Sequence, residues 1–284
     1  MTQRLGRYGL DTGRPWVMGI LNLTPDSFSD GGLVRGVDAA RVRAKVLQAQ
    51  GADIIDVGGE STRPGAVAVA PEEEAQRVLP VLEALQDLGL PLSLDSRRPQ
   101  VVAAAIKMGV DMVNDVTGFR DVGMQGLLGT IRDAGCSVCV MHMQGEPQTM
   151  QQAPQYADVV KEVFGFLRQQ QQYLLECGFR ADQIFLDPGF GFGKTLAHNQ
   201  ALLQALPQLS ASGQPLVGLS RKSLIAALLG RDAAPQERLA GSLAAALFAA
   251  QQGARIVRVH DVRETVDALR VWRGLSSSFH MRSL

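Results

Sequence analysis

The chain has 284 residues, 28 Lys and Arg against 28 Asp and Glu, 46% hydrophobic and 20% charged residues, and a formal net charge of +0. That balance excludes a general attraction to nucleic acid or to an anionic membrane, and the apolar fraction excludes global disorder. No run reaches the about 18 uninterrupted apolar residues of a membrane span, and Met1 to Arg14 holds no apolar core of the signal-peptide kind. The expected compartment is the cytoplasm. Cys136, Cys139 and Cys177 cannot all pair. The Cys136/Cys139 spacing lies in an apolar run with no second half-site, so both read as reduced core thiols.

The elements alternate in chain order. An apolar strand, Val17 to Leu21, ends at Asn22. Asp38 to Gln50 reads as a helix capped by Asp38 and ended by Gly51. Strand Ile54 to Val57 follows, then a helix opened by Pro71 with Glu72, Glu73 and Glu74 at the positive end of its dipole. Strand Leu92 to Leu94 ends at Asp95, and Pro99 opens the next helix. Strand Met112-Val113 ends at Asn114-Asp115, and strand Val138 to Met141 precedes a long helix, Tyr156 to Cys177. Strand Ile184 to Leu186 ends at Asp187 and leads to helix His198 to Leu206. Strand Leu216 to Leu219 turns into a helix near Ser223. An extra helix, Pro235 to Gln252, precedes strand Ile256 to Val259 and the last helix, Val262 to Trp272.

Eight strands joined through helices predict an α/β fold, a (β/α)8 barrel of the triosephosphate isomerase (TIM) type, with its ligand site at the C-terminal ends of the strands. No linker interrupts it, so residues 1–284 read as one domain, with a short extension at 1–14 and a frayed tail at about 276–284.

The polar residues follow the strands. Asn22 to Gly32 is a turn-rich loop whose Phe28 has no periodic partner and suits a lid. Glu60 to Ala66 offers the hydroxyl of Thr62 and the forked donor of Arg63 beside Pro64. Gly193-Lys194-Thr195 invites a phosphate-loop reading, but the partner glycine would have to stand where Pro188 stands, so the reading fails. A glycine loop carrying Phe192 as a wall is the better reading. Ser220 to Ser223 sits where a strand turns into a helix, and Arg258 and His260 end the last strand; together they suit an anion. Asp95, Asn114 and Asp187 lie deep and suit a flat, donor-rich heterocycle. Zinc-protease spacing, a nucleophile elbow and a Ser/His/Asp set are absent from the sequence, so covalent catalysis is not indicated.

The stretches Met18–Gly32, Asp56–Gly65, Asp187–Lys194, Ser220–Ser223 and Arg258–His260 resemble the dihydropteroate synthase family, over about Met18 to Arg273. The resemblance implies a TIM barrel, usually a homodimer, that joins 6-hydroxymethyl-7,8-dihydropterin diphosphate to p-aminobenzoate, with sulfonamides as competitors. It implies that Asp95, Asn114, Asp187 and Lys222 hold the pterin and Met141 lines its slot. Asn22 would bind Mg²⁺, and Arg63, Arg258 and His260 the diphosphate. Thr62, Pro64, Phe192, Ser220 and Ser223 would form the p-aminobenzoate site, and Phe28 would help close it. The catalytic set implied is Lys222, Arg258, His260 and Asp95. Asp95-Ser96-Arg97 departs from relatives with Thr and then Lys or Arg, without removing a role. Three rival readings are a pterin-dependent methyltransferase, a non-catalytic pterin-binding relative and an unrelated barrel enzyme acting on a phosphate ester. The first lacks the two anion motifs in this form, the second would have lost the rim cations or the lid, and the third has no use for the deep Asp/Asn/Asp set.

Overall fold

Eight parallel strands close on themselves in chain order in the computed structural model, which describes residues 2–23, 32–61, 68–145 and 149–279. A two-stranded antiparallel hairpin, β1 (Thr2–Leu5) and β2 (Tyr8–Asp11), comes first. The barrel strands are β3 (Trp16–Asn22), β4 (Ile54–Gly58), β5 (Leu92–Asp95), β6 (Met112–Asp115), β7 (Ser137–Met141), β8 (Ile184–Asp187), β9 (Gln214–Val217) and β10 (Ile256–Val259). β10 pairs with β9 on one side and β3 on the other, which closes the ring. Around it run α1 (Gly32–Ala49), α2 (Pro71–Ala84), α3 (Pro99–Lys107), α4 (Val122–Asp133), α5 (Val159–Glu176), α6 (Leu196–Gln204), α7 (Leu206–Ser210), α8 (Ser223–Leu229), α9 (Leu239–Gln251) and α10 (Val262–Phe279).

Strand alternation sorts the side chains into two cores. Val17, Ile55, Val57, Leu94, Val113, Val138, Val140, Leu186, Val217 and Val257 pack outward against the helices. Trp16, Met18, Ile54, Met112, Cys139, Phe185, Leu216 and Ile256 form a separate cluster, the inward layer of the barrel. Large side chains fill that layer, as a barrel interior requires. Burial pushes the Cys136 thiol up to about 12 and raises Cys139 well above the ordinary thiol range, in keeping with inert core cysteines.

The 1–14 segment does more than extend the chain. Leu5 is fully buried in the inward layer, so the hairpin plugs the N-terminal end of the barrel. Gly6 turns at φ 55°, and a Cβ there would lie 2.4 Å from Asp111 Oδ1. Asp111 accepts from the backbone N–H of Arg7 at 3.2 Å and of Leu92 at 3.1 Å, tying hairpin to barrel. Trp16 Nε1 donates to the Asp11 carbonyl at 2.7 Å. Leu5→Ala is expected to cost about 2–5 kcal/mol, since the rigid ring cannot collapse into the cavity. Equilibrium unfolding in urea measures it; an unchanged midpoint would mean that the hairpin is not a plug.

Several boundaries differ from expectation. α1 begins at Gly32, so Asp38 lies inside it and is no cap. The helix expected over His198 to Leu206 breaks at Ala205 into α6 and α7, because Pro207 restarts it. β9 stops at Val217, two residues short of Leu219. α10 reaches Phe279, so part of the tail expected to fray is helical. α4 was not foreseen; Gly123, Gly126 and Gly129 depress its propensity, but Asp121 caps it through Met124 N at 3.1 Å and Met124, Leu128 and Ile131 bury one face.

Candidate active site

Five of the inward apolar residues are followed two positions later by a residue at the barrel mouth. Ile54 leads to Asp56, Met112 to Asn114, Cys139 to Met141, Phe185 to Asp187 and Ile256 to Arg258. Period two therefore stacks a polar layer directly on the apolar one. Asp56, Asn114 and Asp187 are buried, and Asp95 is partly so.

Arg258 organises one half of this layer. Its Nε donates to Asp56 Oδ2 at 2.6 Å and its Nη2 to Asp95 Oδ2 at 2.8 Å. Asp56 was not picked out as a site residue from the sequence, yet it is fully buried and its Oδ1 has no hydrogen-bond partner. Burial pushes Asp95 up to about 7, against the pull of Arg258. Burial also works against the Arg258 cation, but Asp56 and Asp95 outweigh it and raise its pKa. Among the described residues, Nη1 of Arg258 makes no hydrogen bond and remains for a ligand.

Lys222 organises the other half. Its Nζ donates to the Phe190 carbonyl at 2.6 Å and lies 4.6 Å from the centre of the Phe192 ring. Burial lowers Lys222 to about 8, with Asp187 opposing. Burial raises Asp187 in turn, with Lys222 opposing, and its Oδ1 accepts from Gly189 N at 2.7 Å. Met141 packs with Val116, Met143 and Met150 in a small cluster against Phe192, which gives the mouth one apolar wall.

The Ser220–Ser223 motif splits three ways. Ser220 Oγ accepts from His260 N and lies 3.2 Å from His260 Nδ1. Arg221 takes a left-handed φ of 60° and turns away to clamp Asp261, held by Ser242 Oγ on its N–H at 3.0 Å and Arg238 on its carbonyl at 2.8 Å. That reversal lets Lys222 face the mouth while Arg221 does not. Ser223 is the exposed first residue of α8.

Strand register aligns Asn22 with Gly58, Gly58 with Asp95, and Asp95 with Asn114. A Cβ on Gly58 would lie 3.5 Å from Asp95 Cβ and 3.8 Å from Asn22 Oδ1, so the glycine leaves room for both side chains. No three His, Cys, Asp or Glu side chains converge as a metal cage among the described residues. The single amide oxygen of Asn22, beside the room left by Gly58, is a hard oxygen donor of the kind that suits a divalent cation with few protein ligands.

Phe28, Thr62, Arg63 and Pro64, all expected at the site, lie outside the described residues. Two residues past β4 stands a clamp that the sequence reading did not single out: Glu60 Oε1 accepts from Arg97 Nη2 at 3.1 Å and lies 3.6 Å from Arg98 Nη2. Lys194 and His142 were missed too. Lys194 is nearly fully buried beside His142, and no regular pattern marks either residue.

Residues 18–260 match the model of the family described as pterin binding enzyme. A dihydropteroate synthase of Escherichia coli strain K12 is 50% identical over 264 residues, 92% of each chain. A solved dihydropteroate synthase of Burkholderia cenocepacia, complexed with 7,8-dihydropteroate, superposes with a TM-score of 0.88 at 46% identity, covering 99% of this chain and 98% of that one. One from Yersinia pestis, in a complex with a sulfonamide drug, gives 0.89 at 43% identity over 98% of this chain and 100% of that one. The barrel with its polar mouth and this similarity over nearly its whole length make the chain a member of the dihydropteroate synthase family of pterin-binding enzymes.

Proposed function

We propose that the chain condenses 6-hydroxymethyl-7,8-dihydropterin diphosphate with p-aminobenzoate, releasing diphosphate and 7,8-dihydropteroate. The observation that carries this reading is the layer of Asp95, Asn114 and Asp187 at a mouth that also holds Lys222 and Arg258. Carboxylate and amide oxygens accept from the ring N–H and exocyclic amine of a pterin. Lys222 donates to a ring acceptor from the opposite side, and Met141 lines the slot. Arg258, through its remaining donors, and His260 bind the diphosphate together with Arg63. Phe192, Ser220, Ser223, Thr62 and Pro64 frame p-aminobenzoate, and sulfonamides compete there. Phe28 helps to close the loop after β3.

The reaction runs dissociatively. The bond from the pterin methylene carbon to the diphosphate oxygen breaks first, and the electron-rich ring spreads the resulting positive charge. The aniline nitrogen then attacks that carbon and loses its proton. Positioning and charge neutralisation on the leaving group supply most of the acceleration, so no protein nucleophile is needed. Mg²⁺, held by Asn22 and the diphosphate, would neutralise leaving-group charge when bound. The test is chemical: purified protein with both substrates and Mg²⁺ should yield dihydropteroate and diphosphate one to one. Pterin binding without turnover would favour the non-catalytic reading.

A homodimer is part of the proposal. Leu228 and Leu229 on α8, Phe248 on α9, and Val271 and Leu275 on α10 are exposed on helices that neighbour one another. A second copy that covers them removes apolar surface from water. Leu275→Glu with Leu228→Glu should convert dimer to monomer in sedimentation equilibrium; an unchanged mass would place the interface elsewhere. The compartment proposed is the cytoplasm, supported by the free cysteines; no described helix is long and apolar enough to cross a membrane.

A further inference from the structure

We propose that Lys194 is a positioning residue for p-aminobenzoate, acting through Phe192; this deepens the synthase reading and rests on it. Lys194 is 3% exposed, and its ammonium has three acceptors around it. Nζ donates to the Phe192 carbonyl at 3.0 Å, to the His142 carbonyl at 3.2 Å and to His142 Nδ1 at 3.1 Å. In its charged form three donors meet three acceptors; burial lowers its pKa to about 7, against the pull of Asp187. His142 can accept because burial, with Lys194 beside it, holds its imidazole neutral, down to about 3.

These bonds join two segments that lie one on the other. A Cβ on Gly189 would lie 2.0 Å from the His142 carbonyl oxygen, and one on Gly193 would lie 2.6 Å from that of Gln144. Both glycines have positive φ, so the 189–193 loop rests directly on the backbone after β7. Two lysines then hold that loop at different carbonyls. Lys222 holds the Phe190 carbonyl and Lys194 the Phe192 carbonyl. Tyr156 adds a third tie, its hydroxyl donating to the Gly193 carbonyl at 2.9 Å. Phe192 is consequently held by the Lys222 ammonium and against the cluster of Val116, Met141, Met143 and Met150. Lys194 makes no hydrogen bond at the mouth itself; its charge is felt at Asp187 and Lys222, and its hydrogen bonds reach the mouth through the loop that carries Phe192.

The experiment is a double-mutant cycle on steady-state kinetics with Lys194→Met and Phe192→Ala. Lys194→Met should raise KM for p-aminobenzoate about tenfold, about 1.4 kcal/mol, while kcat changes by less than about threefold. In the Phe192→Ala background the same substitution should change KM by less than about twofold, because the residue it acts through is gone. Equal effects in both backgrounds, or an unchanged KM, would overturn the proposal, as would a fall in kcat alone, the mark of lost folded enzyme. If Lys194→Met does not fold, Lys194→Gln, one bond shorter with two donors, enters the same cycle under the same criteria. Failure of the synthase reading is separate: the unsubstituted protein would then make no dihydropteroate.

Discussion

Arg258→Met is expected to lower kcat/KM by about three orders of magnitude and to destabilise the folded protein by about 3–5 kcal/mol. Both losses come from one geometry. The guanidinium joins Asp56 and Asp95 through separate nitrogens, and Asp56 is fully buried. Without the cation, two carboxylates face each other at the barrel mouth with nothing to offset their desolvation. Asp95, which burial already raises against the pull of Arg258, should rise further, and the pterin and diphosphate should lose their shared organiser. Arg258→Lys should not restore activity, because a point charge cannot fork to both partners. Urea unfolding and initial rates on the same preparations check this. A variant as stable as the unsubstituted protein would mean that the Asp56–Arg258–Asp95 cluster contributes nothing to the fold.

Lys222→Ala should lower kcat/KM for the pterin diphosphate by about 10²–10³ and leave the fold intact. Removing an ammonium that burial already disfavours relieves desolvation, and the carbonyl of Phe190 loses one hydrogen bond, worth about 1 kcal/mol. The pH dependence follows with a definite sign. Burial lowers Lys222 to about 8, and only its charged form can donate all its hydrogens and offset Asp187. Hence kcat/KM of the free enzyme falls as pH rises through about 8. Lys222→Arg, which stays charged, should lose that limb even if its activity is low. A pH profile that keeps the limb in Lys222→Arg would assign it to another group.

The barrel was legible because its strands are short apolar runs separated by helices, and the polar layer because strand period is two. Asp95, Asn114, Asp187 and Arg258 all fall on the inward phase, two residues beyond or in step with the apolar layer. Asp56 obeys the same rule, but its partner is 202 residues away, and nothing local announces a pairing across the closed ring. The Leu5 plug was hidden for a similar reason: four-residue strands carry little pattern, and the role exists only once the barrel has an open end. α4 was hidden by its glycines, whose weak propensity is overridden by packing. Lys194 was read as part of a failed phosphate loop and as the end of the Asp187–Lys194 stretch, without a role of its own. Its three acceptors come from two segments, and no one-dimensional spacing encodes their stacking.

The central claim is that this mouth expels diphosphate from the pterin and delivers the methylene carbon to an aniline. The most direct test measures diphosphate and dihydropteroate together, from the dihydropterin diphosphate with Mg²⁺, with and without p-aminobenzoate. The account predicts diphosphate and dihydropteroate in equal amounts, dependent on p-aminobenzoate and suppressed competitively by a sulfonamide. Tight pterin binding with no diphosphate released under either condition would contradict it.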